Sequence, residues 1–198
     1  MMSTLQLHKG RALVVVAHPD DETIWMGGTI LVHPDLEWTI FALCRGDDPD
    51  RAPKFRSVTT RYGAEGFISD LEDEGRMTIR ASIPEIERRL VREMQRRNYD
   101  YIFTHAPNGE YGHPRHKGVS RAVRNLLKRG ALRANEILFF AYRLNEARRC
   151  AIPRDGAHFQ TPLSDAVWRE KQRIIRNLYG FSEDSFEFRS ASRVENFL

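Results

Sequence analysis

The sequence lacks the features that mark disulfide-rich, secreted or membrane-spanning proteins. It has only two cysteines, Cys44 and Cys150, in no CxxC spacing, which argues against a disulfide framework and is typical of a reducing compartment. No apolar run approaches the roughly 20 residues that a transmembrane helix needs. Residues 1–9 lack the apolar segment of a secretory signal. We therefore expect a cytoplasmic protein without a membrane span.

The sequence also lacks the aromatic-rich basic strips that stack nucleic-acid bases. Its 31 Lys and Arg residues exceed its 27 Asp and Glu residues by four, and such a basic balance is one mark of nucleic-acid binding. Many of the arginines, however, fall on predicted helix faces, several at spacings that allow pairing with Glu85, Glu87 and Glu93. The pattern favours solvated helix surfaces, and we expect no nucleic-acid partner.

Short apolar runs alternate with amphipathic segments along the 198 residues. Strands are predicted over 13–17, 38–43, 67–71, 99–104 and 136–142, and helices over 23–32, 54–64, 84–97, 116–128 and 165–179. This alternation predicts an α/β fold with a mostly parallel sheet that is covered by helices on both faces. The length suits one domain over 1–198, with an N-terminal extension over 1–9 and a C-terminal tail over 183–198.

Two clusters of polar residues follow predicted strands. His18, Asp20 and Asp21 come directly after the strand over 13–17, and His113 and His116 follow the strand over 99–104 after a loop. Ligands of open parallel sheets bind beyond the carboxyl ends of the strands. Both clusters are therefore expected at one edge of the sheet.

The spacing within each cluster suits a metal ion. His18 and Asp21 can bring an imidazole nitrogen and a carboxylate oxygen onto one ion, which leaves Asp20 to face a water. His113 and His116 project toward one side if a helix begins just after His113. Two histidines and one aspartate are a typical ligand set of a catalytic zinc site. The sequence thus predicts one divalent ion per chain, zinc, although such a donor set also accepts iron.

Each cluster also has a plainer interpretation. A single histidine at a strand end is often a hydrogen-bonded structural residue. The Asp20-Asp21 pair is also typical of a helix start, where carboxylates cap the free N–H groups and meet the positive end of the helix dipole. The placement of both clusters at the predicted ligand edge favours the metal site.

Two unbroken blocks carry a resemblance to a known family. The segment 17–22, Ala-His-Pro-Asp-Asp-Glu, and the segment 109–116, Gly-Glu-Tyr-Gly-His-Pro-Arg-His, resemble the PIG-L/LmbE-like family of zinc-dependent N-acetyl-sugar deacetylases. The resemblance extends over residues 11–142. It implies a Rossmann-like three-layer sandwich and an enzyme that hydrolyses a linear amide. The implied substrate is an N-acetylglucosamine-type sugar or glycoconjugate.

The same resemblance implies a role for each residue of the two clusters. His18, Asp21 and His116 would hold the zinc. Asp20 would be the general base, and His113 would stabilise the oxyanion or protonate the leaving amine. Five residues outside the two clusters are candidate substrate contacts: Arg45, Arg51, His105, Asn108 and Tyr111.

Glu22 and Arg115 are expected to act on the site through its other residues. Glu22 opens a predicted helix, so helix capping is an equal alternative for its carboxylate. Arg115 departs from the family, where the residue before the second histidine is commonly acidic. A cation beside His113 would lower the pKa of that imidazole, unless the Arg115 side chain points to solvent.

Three other functions stay open at this stage. The chain could hydrolyse another amide or a phosphoester with the same metal. Because of Arg115, it could instead be a catalytically impaired sugar- or metal-binding protein, and its basic charge keeps nucleic-acid binding as a distant alternative. The sequence also leaves the oligomeric state open, a homo-oligomer included.

Overall fold

The computed structural model describes residues 2–94 and 97–198. The strands are β1 (Ser3–Thr4), β2 (Arg11–Val16), β3 (Glu37–Cys44), β4 (Glu65–Leu71), β5 (Asn98–Thr104), β6 (Arg133–Phe139), β7 (Tyr142–Leu144), β8 (Ala151–Pro153), β9 (Phe159–Pro162) and β10 (Val194–Phe197). The helices are α1 (Asp21–Val32), α2 (Arg51–Tyr62), α3 (Ile79–Met94), α4 (Pro114–Lys128), α5 (Asp165–Arg173) and α6 (Phe186–Arg189), with a π-helical segment over Ile174–Leu178. Within the described ranges, no helix has both the length and the apolar character that crossing a bilayer requires.

The central sheet has five parallel strands in the order β4-β3-β2-β5-β6. Val14 of β2 lies between Ile40 of β3 and Phe103 of β5, and all three are fully buried. Strands β3 and β4 lie on one side of β2, and β5 and β6, which follow them in the chain, lie on the other side. A crevice forms at such a reversal, here between β2 and β5, beyond the carboxyl ends of the strands.

The sheet has an apolar core on each face. Val14 packs in the cluster that contains Trp25 of α1, whereas its neighbour Val15 packs in the cluster that contains Ile86 of α3 and Val119 of α4. Successive side chains of a strand point to opposite faces, so a strand buried on both faces has no polar alternation. The expected α/β three-layer sandwich with a mostly parallel sheet is confirmed.

The start of α3 differs from its expected position. The helix begins at Ile79 and includes Pro84, which was expected in its first turn. Thr78 supplies the earlier start, because its hydroxyl accepts the N–H of Ala81 at 3.2 Å, as a helix cap does. The strands β1 and β7–β10 were not predicted, since segments of two to four residues are too short to show a periodicity.

Residues 183–198 contain α6 and β10, and β10 pairs with β9. Helix α1 is kinked at Met26, whose φ of −149° is not helical. Beyond the kink, the N–H groups of Gly28 and Thr29 donate to the buried Glu195 carboxylate of β10, at 2.8 and 2.6 Å. The end of the chain therefore supports the helix that begins at the sheet edge.

Replacing Glu195 by alanine should strongly destabilise the protein. The Lys171 ammonium lies 2.7 Å from Glu195, and both side chains are fully buried. The substitution leaves this ammonium buried without its counter-charge, so we expect a loss of about 3–5 kcal/mol in the free energy of unfolding, measured by urea denaturation. Glu183→Ala is the control, because its partner Arg176 and Glu183 itself are mostly exposed, and it should change stability much less. Equal losses for the two variants would contradict the assignment.

Candidate active site

The turn after β2 brings the first cluster to the crevice. Asp20 has a φ of +126°, a conformation that is strained for any residue other than glycine. Its carbonyl accepts the N–H groups of Thr23 and Ile24 at 2.9 and 2.8 Å, so its backbone starts α1, but its carboxylate makes no capping bond. Helix capping therefore does not account for the Asp20 side chain.

Three side chains from the two clusters converge on one point. The donor atoms are His18 Nδ1, Asp21 Oδ2 and His116 Nε2. Their separations are 3.2 Å for His18–Asp21, 3.3 Å for His18–His116 and 3.4 Å for Asp21–His116. Ligands of a tetrahedral zinc ion with bonds of about 2.0–2.1 Å are separated by about 3.3–3.4 Å. The donor set and its spacing fit zinc. These side chains could hold a metal ion and leave one position open.

Other nitrogens also approach this point. His113 offers an atom within 4.8 Å of His18 and His116, and His105 one within the same distance of Asp21 and His116. The lone pair of His105 Nε2 is already used, because it accepts the Ala17 N–H at 3.0 Å. Of these two histidines, only His113 therefore remains as a further neighbour of the candidate metal position.

Glu110, which the sequence interpretation missed, orients His116. Its carboxylate is hydrogen-bonded to His116 Nδ1 at 2.6 Å and to His105 Nδ1 at 2.7 Å. It also accepts the Ala106 N–H at 2.9 Å. Burial raises the pKa of Glu110, but the two imidazoles outweigh burial and keep that pKa below its usual value. A carboxylate on the far nitrogen of a ligating histidine fixes the ring and raises its basicity. The only sequence signal was the position of Glu110 inside the second block.

Asp73 and Trp25 do the same for the other two candidate ligands, and both were also missed. Asp73, in the loop after β4, lies 3.1 Å from His18 Nε2. The Trp25 indole N–H donates to Asp21 Oδ1 at 2.8 Å. Burial lowers the pKa of His18, but hydrogen bonds to Asp21 and Asp73 outweigh it and raise that pKa to about 9. Each candidate ligand thus has a partner that fixes its orientation.

Asp20 lies beside this centre and has partners of its own. Arg51 Nη1 donates to its carboxylate at 2.9 Å, and the Glu22 carboxylate accepts its backbone N–H at 3.1 Å. Glu22 is fully buried and also accepts the Tyr179 hydroxyl at 2.6 Å, so it supports the strained turn. Burial and the charge of Asp21 raise the pKa of Asp20 well above its usual value.

His113 is the residue that precedes α4, and its Nδ1 accepts the Arg115 N–H at 3.3 Å. A neutral ring in this position carries its proton on Nε2. Burial and the neighbouring His116 and His18 lower the pKa of His113 to about 3. The geometry therefore makes His113 a neutral hydrogen-bond donor.

Arg115 does not point to solvent. It is 3% exposed, and its guanidinium turns away toward the loop after β4. Nη2 lies 2.6 Å from the Glu72 carboxylate and 3.0 Å from the Met77 carbonyl, and Nε donates to the Glu72 carbonyl at 2.6 Å. The sequence left the direction of this side chain open, and the structure shows its charge paired with Glu72 inside the protein.

A cavity of about 330 Å³ opens onto the candidate metal position. Its walls are formed by His18, Pro19, Asp20, Asp21, Ile24, Trp25, Arg45, Asp48, Arg51, Tyr111, Phe186 and Glu187. Tyr111 and Phe186 meet edge to face, with ring centroids 4.7 Å apart. Phe186 and Glu187 belong to α6, about 75 residues beyond Tyr111 in the chain, so only the fold could reveal their place in this wall.

The five candidate substrate contacts divide into two groups. Arg45, Arg51 and Tyr111 line the cavity. His105 does not, since it is fully buried and both its nitrogens have protein partners, so the expected substrate contact is corrected to a support of Glu110. Asn108 is also absent from the walls. Its amide donates at 2.9 Å to the carbonyl of Tyr142, which holds the loop in place.

Replacing Glu110 by glutamine should weaken metal binding. Glutamine keeps the size of the side chain but removes the charge that orients His116, and loss of such a partner typically lowers metal affinity about 10- to 100-fold. Competition with a chromogenic chelator measures the affinity, and thermal unfolding checks the fold. Glu136→Gln, an exposed carboxylate on β6, is the matched control and should bind as the wild type does. Unchanged affinity in Glu110→Gln would refute the role of Glu110.

Known proteins share this fold and parts of this sequence. The structure superposes on the conserved protein TT1542 from Thermus thermophilus with a TM-score of 0.71, 19% identity, and coverage of 94% of this chain and 93% of that one. It superposes on an N,N'-diacetylchitobiose deacetylase from Pyrococcus horikoshii with a TM-score of 0.68, 16% identity, and coverage of 95% and 82%. At these identities the likeness concerns the fold.

Sequence relatives extend the comparison. A 1D-myo-inositol 2-acetamido-2-deoxy-alpha-D-glucopyranoside deacetylase from Rhodococcus erythropolis (strain PR4 / NBRC 100887) is 24% identical over 210 residues, which cover 87% of this chain. The matches span 66% of that protein and 57% of a second curated relative. The family model described as "PIG-L: GlcNAc-PI de-N-acetylase" matches residues 13–127, more than half of the chain. The chain therefore belongs to the PIG-L family.

Proposed function

We propose that the protein is a zinc-dependent hydrolase that removes the N-acetyl group from an N-acetylglucosamine-type sugar or glycoconjugate. The observation that carries the proposal is the set of three ligand atoms spaced for one ion, with the Asp20 carboxylate held beside them by Arg51. Family membership and the deacetylase names of the Rhodococcus and Pyrococcus proteins support it.

His18, Asp21 and His116 would hold the zinc, which when bound polarises an amide carbonyl and acidifies water. Asp20 accepts the proton of the water that attacks the acetyl carbon. Burial raises the pKa of this carboxylate, which strengthens it as a base, while Arg51 fixes its direction. Asp20 then returns the proton to the nitrogen as the carbon–nitrogen bond breaks, which releases acetate and the amine.

His113 donates a hydrogen bond to the developing oxyanion. Its Nδ1 accepts the Arg115 N–H, so Nε2 carries the proton of the neutral ring. A fixed donor aimed at developing charge in a buried site lowers the barrier without a proton transfer. The lowered pKa of the His113 ring suits a neutral donor in this role.

The cavity suits a single sugar ring with an acetamido group. Its volume of about 330 Å³ lies at the small end of ligand pockets. Tyr111 and Phe186 present an aromatic wall to the face of a sugar, and Arg45 and Arg51 present hydrogen-bond donors to its hydroxyls. The alternative of a catalytically impaired site was based on an unpaired Arg115 cation beside His113. Because that guanidinium is paired with Glu72, this argument no longer applies.

The Asp20→Asn variant should retain zinc and lose turnover. Asparagine cannot accept the proton, so we expect kcat to fall by at least about 100-fold. Acetate release from N-acetylglucosamine derivatives measures activity, and metal analysis of the purified protein measures zinc; chelation should abolish the wild-type activity. Asp155→Asn, at an exposed site, is the control. Chelator-insensitive acetate release would overturn the proposal, and loss of zinc from Asp20→Asn would mean that base and ligand are misassigned.

Replacing His113 should lower kcat more than it changes KM, because the hydrogen bond strengthens only as negative charge develops. Loss of one such donor typically costs about 100- to 1,000-fold in kcat. His113→Gln retains an N–H donor and should keep more activity than His113→Ala. Steady-state kinetics of both variants test this, and wild-type kcat in His113→Ala would remove His113 from the mechanism.

A further inference from the structure

Arg115 stands one residue before the candidate ligand His116, yet its side chain reaches a distant segment of the chain. It leaves the first turn of α4 and enters the loop over residues 72–78, between β4 and α3. There it binds both the carboxylate and the carbonyl of Glu72, as well as the carbonyl of Met77. The guanidinium thus joins α4 to this loop.

The Glu72 carboxylate also organises its own loop. It accepts the backbone N–H groups of Glu74, Arg76 and Met77, at 2.5, 3.0 and 2.9 Å. With Arg115 on the same carboxylate, Glu72 ties the loop backbone and the start of α4 together. The loop over residues 72–78 is therefore fixed in position relative to His113 and His116.

Asp73 is the next residue of this loop and faces the site. Its Oδ2 lies 3.1 Å from His18 Nε2, and its Oδ1 lies 3.9 Å from Arg115 Nε. The opposite nitrogen of the same ring, His18 Nδ1, faces Asp21 and His116. Arg115 thus acts on Asp73 through the Glu72 backbone, while Arg45 Nη2 lies 3.3 Å from the Asp73 carboxylate.

We propose that Arg115 is a positioning residue: it holds Asp73 against His18 and so directs His18 Nδ1 at the metal. The proposal rests on the proposed function, since it assigns Arg115 to the same metal centre. The fork of the guanidinium matters here, because Nε and Nη2 bind the carbonyl and the carboxylate of one residue, which the single ammonium of lysine cannot do with the same geometry.

A purely structural role for Arg115 makes a different prediction. A buried ion pair that only stabilised the fold would change unfolding and leave the metal site of the folded protein unaltered. A residue that acts through Asp73 changes metal affinity, and it does so only while Asp73 is present. The two roles separate in a double-mutant cycle.

The experiment measures zinc affinity by chelator competition for Arg115→Gln, Asp73→Asn and the double variant, each in the folded protein at a temperature below its unfolding transition. We expect each single variant to bind zinc about 10- to 100-fold more weakly than the wild type. The double variant should bind no more weakly than Asp73→Asn alone. The absorption spectrum of the cobalt-substituted protein should change in both single variants, because the His18 ring is reoriented.

Arg89→Gln is the matched control. Arg89 of α3 pairs with Asp70 of β4 at 2.5 Å, so its loss breaks a neighbouring ion pair that does not touch Asp73. Its zinc affinity and cobalt spectrum should equal those of the wild type. If Arg115→Gln fails to fold, Glu72→Gln releases the same contact from its other side and should weaken zinc binding by a similar factor.

The outcomes that overturn the proposal are distinct from those that overturn the function. Wild-type zinc affinity in Arg115→Gln or in Glu72→Gln refutes the positioning role, as do additive losses in the double variant, while zinc-dependent deacetylation by the wild type still stands. A wild-type protein that binds no zinc overturns the proposed function and this inference together.

Discussion

The buried carboxylate of Glu110 connects the parts of the protein that make the site. It binds His116 at the start of α4 and His105 at the end of β5, and His105 in turn binds the N–H of Ala17 at the end of β2. A single charge, fully enclosed, thus joins two neighbouring strands and one helix. Burying such a charge is favourable only when it is fully hydrogen-bonded, so these elements have one arrangement that satisfies it.

The same requirement shapes the rest of the centre. Each candidate ligand atom has a partner on its far side: Asp73 for His18, Trp25 for Asp21 and Glu110 for His116. Without such partners the three side chains would be free to rotate away from one another. With them, the three donor atoms lie at the separation that a tetrahedral ion requires. Asp20 is kept apart by Arg51 and by the strained turn that Glu22 supports.

Much of the fold and part of the site could be predicted from the sequence. The apolar run of β2 and the alternation of strands with helices predicted a parallel sheet, because a strand buried on both faces needs no polar alternation. The two clusters could be brought together because ligands of such sheets gather at one edge, whereas the choice of His116 as the third candidate ligand came from the family resemblance. The early start of α3 and the short strands could not be predicted from the sequence, since a cap by Thr78 and pairings of two to four residues leave no periodic pattern.

The sequence by itself determined the chemical inventory: an imidazole and two carboxylates after one strand, two histidines after another, and a sheet whose topology places them at one edge. The tertiary structure decided which partner each group has. Glu110 supports the candidate ligand His116, His105 is fully buried, and Arg115 pairs with Glu72 rather than pointing to solvent. The physical reason is that local periodicity dictates helices and strands, whereas the pairing of buried charges depends on groups that are distant in the chain and meet only when the layers pack.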